Sequence, residues 1–97
     1  MSTQSRKMAE ELVFMWRTYV DYNMENPRTK NTTVARAQFN GACHLAFAIG
    51  YGLTAANVSA VVRNTLIGNN VNDWFKPELL DELAERLESI RNCEVKR

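Results

Sequence analysis

The chain reads as an all-α protein, a compact bundle of four to five helices in a single domain spanning residues 1–97. Three observations predict that class. Four Gly and two Pro in 97 residues leave little material for a turn-rich β architecture. The strong helix formers Ala, Leu, Glu and Arg are abundant. Apolar residues recur three and four apart over long stretches, as one face of a helix requires. Ninety-seven residues suffice for one domain rather than two, and 45% hydrophobic with 24% charged residues are ordinary globular proportions.

A first helix is expected from Thr3 or Ser5 to Met24. Met8, Leu12, Met15, Tyr19 and Tyr22 alternate at spacings of four and three, and Val13, Trp16 and Val20 form a second stripe beside them. That apolar face is wide enough to be held on more than one side. Asn26-Pro27 ends the helix, because the residue before proline is pushed out of helical geometry. Arg28 to Asn31 is a short polar connection, after which Thr32 or Thr33 can cap a second helix that reaches about Gly50. This helix is rich in small residues, Ala35, Ala37, Gly41, Ala42, Ala46 and Ala48, and is expected to be the most buried element. Asn40-Gly41 is a place where it could break in two.

Gly50-Tyr51-Gly52 reads as a turn. Thr54 is a good cap for a third helix, with Val58, Val61, Val62 and Leu66 on one side. Gly68 to Asn72 is a Gly/Asn-rich loop. Pro77 then suits the first turn of a last helix, where its missing N–H costs nothing. In that helix, expected to run to Asn92, Leu80, Leu83, Leu87 and Ile90 fall three, four and three apart. The stripe is expected to pack onto the first helix, and its spacing also suits a homodimer seam. Glu82 and Arg86 form a favourably oriented pair one turn apart.

Twelve Lys and Arg against eleven Asp and Glu leave a net charge of +1, which by itself names no partner. The distribution says more. No acidic residue lies between Glu25 and Asp73, and Arg28, Lys30, Arg36 and Arg63 give that stretch +4. Residues 73–95 carry seven acids and three bases. The middle of the chain can therefore face an anion, and the last helix cannot.

Two cysteines, Cys43 and Cys93, suit buried or incidental thiols in a reducing compartment better than a disulfide framework. With neither a signal-peptide core nor an apolar run of membrane-spanning length, the expected location is the cytoplasm, away from membranes. The residues favour neither an enzyme nor a cofactor protein. His44 is the only histidine and points about 100° away from its neighbour Cys43 on a helix, so no metal site or Cys–His pair forms. No catalytic residues are assigned, because Ser and Thr have no base arranged beside them. Gly50 and Gly52 lack the following lysine of a phosphate-binding loop. Trp16, Tyr19, Tyr22, Trp74 and Phe75 are mostly core, although Tyr19 and Tyr22 with Arg28 and Lys30 offer a surface on which a base could stack.

Phe47 to Val61, FAIGYGLTAANVSAV, carries a family likeness. Residues about 44–64 resemble the helix-turn-helix of phage repressors, Cro proteins and many bacterial regulators. In that family a small residue four before the turn glycine lets two helices cross closely, and Ala48 occupies that place. Gly52 stands where the backbone must turn left-handed, and Thr54 where a hydroxyl caps the recognition helix. The buried apolar positions fall on Phe47, Tyr51, Leu53, Val58 and Val61. Gly50 is the other candidate for the turn, but it places Ala56 where Val58 otherwise fits.

The resemblance implies that residues 54–64 form a recognition helix presenting Thr54, Ala55, Ser59 and Arg63 to double-stranded DNA, with phosphate contacts from Arg28, Lys30 and Arg36. On this reading the chain is a small, dimeric transcriptional regulator. Changing Thr54 or Arg63 to alanine is then expected to weaken DNA binding without loss of stability. The near-neutral charge and the acid-rich last helix motivate a second reading, a helical module that binds another protein, such as a phage- or plasmid-type inhibitor of a host enzyme.

Overall fold

In the computed structural model, which describes the backbone of residues 3–95 and side chains to Ile90, four α-helices share one apolar core. They are α1 (Thr3–Glu25), α2 (Lys30–Ala48), α3 (Ala55–Leu66) and α4 (Pro77–Val95), with a one-turn 3₁₀ helix at Val71–Asp73 before α4. No strand occurs among the described residues, so the expected all-α class is observed. Each helix packs on its neighbours in sequence, and α4 closes back onto α1. No helix of the described residues is long and apolar enough to cross a membrane.

The wide face of α1 is used on two sides, against α2 and against α4. Ala9, Leu12 and Val13 are fully buried along it. After Pro27 the side chain of Asn26 accepts the Arg28 N–H at 3.0 Å, a local turn that swings the chain into α2. This moves the start of α2 forward from the expected position. Thr29, in extended geometry, is the N-cap and accepts the Thr32 N–H at 3.2 Å. The hydroxyl of Thr32 instead donates back to the Asn26 carbonyl at 2.7 Å.

Helix α2 runs through Asn40-Gly41 without a break and buries a single stripe, Thr32, Ala35, Phe39, Cys43 and Ala46. Its five buried residues are the most of any helix among the described residues, but their share of its 19 residues is below the four of 12 in α3. Ala37, Gly41 and Ala48 face outward with Val34 and Leu45, because the inward stripe at three-four spacing passes them by.

Helix α3 buries Val58, Val62, Thr65 and Leu66. The loop that follows turns at Gly68, with φ 84°, and the Trp74 indole N–H donates to the Asn69 carbonyl at 3.3 Å. Pro77 opens α4 as expected. Leu80, Leu83, Ala84 and Leu87 are buried, so most of the leucine stripe is consumed inside the chain. The Glu82–Arg86 pair forms at 3.0 Å, and Arg86 also donates to the Thr65 hydroxyl at 3.2 Å, tying α4 to α3.

Candidate functional site

The connection between α2 and α3 differs from the register the helix-turn-helix likeness suggests. Helix α2 stops at Ala48, and six residues, 49–54, lead to α3. The left-handed residue is Gly50, at φ 98°, and not Gly52. The Gly50 N–H donates to the Phe47 carbonyl at 2.9 Å and the Tyr51 N–H to the Ala46 carbonyl at 3.0 Å. This pair of bonds is the Schellman ending, which places a glycine in left-handed geometry just past the helix and folds the next residue back onto it.

Tyr51 is accordingly fully buried, and its hydroxyl lies 2.9 Å from that of Ser5 on α1. Phe47 and Leu53, expected inside, remain 42% and 59% exposed. Ala48 is exposed as well, and Ala46 is the small residue that packs inward. Gly52 is needed for another reason. A Cβ there would stand 2.6 Å from Val58 Cγ2, so its place is set by close approach rather than by backbone angle. The chain thus follows the Gly50 register at the end of α2 and the Gly52 register at Val58, with a connection long enough to satisfy both.

The assigned DNA-contact residues separate into four groups. Thr54 spends its hydroxyl on capping, accepting the Asn57 N–H at 3.0 Å, while Asn57 Oδ1 accepts the Leu53 N–H at 3.2 Å. Its loss therefore acts on stability, by about 1 kcal/mol as for other caps, contrary to the expectation from sequence. Ala55 packs against the core. Arg28 and Lys30 are exposed around the start of α2.

Arg36, Ser59 and Arg63 come together. They line a cleft of about 350 Å³ where α2 and α3 meet α1. From α1 it receives Trp16 and Tyr19, and from α2 Phe39 and Asn40. The rings form a chain, with centroids 5.4 Å apart from Trp16 to Tyr19 and 5.0 Å from Trp16 to Phe39. The Arg63 Nε donates to the Ser59 carbonyl at 3.4 Å, which holds its stem along α3.

The cleft is positively charged. Arg6, Arg17 and Arg86 each meet a carboxylate, whereas Arg36 and Arg63 have no ion-pair partner among the described residues. The cause lies in the sequence, since the acid-free stretch supplies all of α2 and α3. Behind the cleft, burial pushes the Cys43 thiol up to about 11, with the positive charge of Arg63 pulling the other way. On the far side of α3 the charge changes. There a groove toward α4 is lined by Val61, Asn64, Glu82 and Glu85, with Arg86 already paired.

No protein family, curated protein or solved structure matches this chain.

The residues themselves therefore carry the functional reading. His44 is exposed on α2 and Cys43 is 1% exposed in the core, while the Cys93 side chain lies outside the described residues. No group of three His, Cys, Asp or Glu suited to a metal occurs among the described residues. Sequence reading missed the partnership of Tyr19 with Arg36 and Arg63. It placed Tyr19 with Arg28 and Lys30, which do not line the cleft. Only the crossing of three helices brings these residues together, and no local spacing signals it.

Proposed function

We propose that the chain is a small DNA-binding protein acting as a transcriptional regulator, and that it holds the phosphate backbone through the face shared by α2 and α3. One observation carries this reading: Arg36 and Arg63, unneutralised, share one cleft with Ser59. Guanidinium groups bind phosphate in a bidentate, charge-assisted manner, and Arg28 and Lys30 add positive charge around the start of α2. The acids on the α4 side of α3 keep duplex away from that flank. With Thr54 and Ala55 occupied in the fold, contact is weighted toward phosphate rather than base edges. A dimer would use a surface other than the leucine stripe.

The decisive measurement is fluorescence anisotropy on a mixed pool of duplex genomic fragments across a salt series. Three or four phosphate contacts per subunit give a log–log slope of about −3, at roughly −0.9 per contact. Arg36→Gln and Arg63→Gln are each expected to reduce the slope by about 0.9, with helicity unchanged because both side chains are exposed.

Absence of binding at low salt overturns the DNA reading in favour of the second, a helical module for a protein partner. A specific feature favours that alternative. Val34, Ala37, Gly41, Leu45 and Ala48 give α2 an outward face without charge, and all five are exposed.

A further inference from the structure

We infer that the cleft between α1, α2 and α3 is a binding site for a mononucleotide, an effector-sized ligand. The site has the parts that such a ligand needs. Arg36 and Arg63 approach one space from two different helices, and neither is neutralised by a carboxylate among the described residues. Two like charges sharing a cleft repel, and a phosphate between them converts that repulsion into attraction.

Beside them Tyr19 supplies ring surface, on which any base can stack, with Trp16 packed against both Tyr19 and Phe39. The Asn40 amide carries both donors and an acceptor, the complement of a base edge, and the Ser59 hydroxyl can serve phosphate or ribose. The volume, about 350 Å³, lies at the lower end of small-ligand sites. A mostly polar lining fits a phosphorylated ligand better than an apolar one.

Nucleotide binding here does not depend on the DNA reading. Where both hold, they call on the same two arginines, so the nucleotide displaces DNA and acts as a regulator of it.

The test is isothermal titration of the full chain with adenosine and uridine 5′-monophosphate, with ribose 5-phosphate and inorganic phosphate as probes lacking the base. The nucleotides are expected to bind saturably below millimolar concentration. Ribose 5-phosphate should bind at least about fivefold more weakly, as loss of a stacked base implies. Arg36→Gln and Arg63→Gln should each weaken nucleotide binding about tenfold or more, with circular dichroism showing an intact fold.

Equal affinity for ribose 5-phosphate and nucleotide would overturn the assignment. So would nucleotide binding indifferent to both arginines, or no saturable binding at millimolar nucleotide. Duplex anisotropy on the same samples separates the two proposals. DNA binding without nucleotide binding sinks this site and leaves the regulator, and nucleotide binding without DNA binding does the reverse.

Discussion

Cys43 shows how a single buried residue responds to its surroundings. Its side chain lies against the core on the inward stripe of α2, and taking a thiolate out of water is costly, so the folded thiol ionises near pH 11 instead of about 9. The sign of the effect on stability follows from proton linkage. Well below pH 9 the thiol is protonated in both folded and unfolded chains and contributes no pH dependence. Between pH 9 and 11 the unfolded chain releases the proton that the folded chain retains, so stability falls as pH rises. Urea denaturation across that window should show a steeper alkaline loss for the wild type than for Cys43→Ala. Parallel curves would mean that the thiol is not held protonated by the fold. Arg63, whose charge opposes the shift, is the residue that also faces the cleft.

Among the elements, α2 and its ending hold three glycines with three different physical roles. Gly41 sits mid-helix, and a Cβ added there would meet nothing within 4 Å, so alanine removes backbone freedom from the unfolded chain and touches nothing. Gly41→Ala is expected to stabilise by about 0.5–1 kcal/mol. Gly50 has φ 98°, where a Cβ meets the following carbonyl, and Gly50→Ala should cost about 1–2 kcal/mol. Gly52→Ala should cost about 1–3 kcal/mol, because the new methyl overlaps Val58 and the helix start must shift.

Equilibrium unfolding of the three variants checks the order, and a stabilising Gly52→Ala would refute the close approach. Sequence reading found all three glycines and misassigned two of them. It took Gly41 for a weak point and Gly52 for the left-handed residue. Helix-breaking tendency is a weak local term, and the buried stripe on both sides of Gly41 overrides it.

For the molecule as a whole, dimensions and charge follow from how the four helices close. It extends 44 × 25 × 20 Å, and α1, with 23 residues, accounts for roughly 34 Å of the long axis at the usual rise per residue. Closure is fastened at both faces of α1. Arg6 pairs with Asp81 of α4, and Ser5 meets Tyr51 of the α2–α3 turn in a fully buried bond spanning 46 residues. Tyr51→Phe preserves the ring in the core and removes the hydroxyl, so it should cost about 1 kcal/mol. A double-mutant cycle with Ser5→Ala should show coupling of at least about 0.5 kcal/mol, and additive losses would deny the bond its role in closure. The same closure separates the charges. It sets the acid-free α2 and α3 around one cleft and keeps the carboxylates of α4 on the opposite flank of α3.

The amino-acid sequence by itself determined the four helices, the proline boundaries at Pro27 and Pro77, the Thr54 cap, the Glu82–Arg86 pair and the acid-free middle. The boundaries, the cap and the ion pair are written within one or two turns of chain, where spacing and local hydrogen bonding decide the outcome, and the helices and the acid-free middle follow from periodicity and composition along longer stretches. Only the tertiary structure decided that Phe47 and Leu53 stay outside while Tyr51 goes in, and that α2 keeps one face open. It alone brought Tyr19, Arg36 and Arg63 to a common cleft. Those features depend on which faces of different helices are pressed together, and burial of the shared core sets that through residues far apart in the chain.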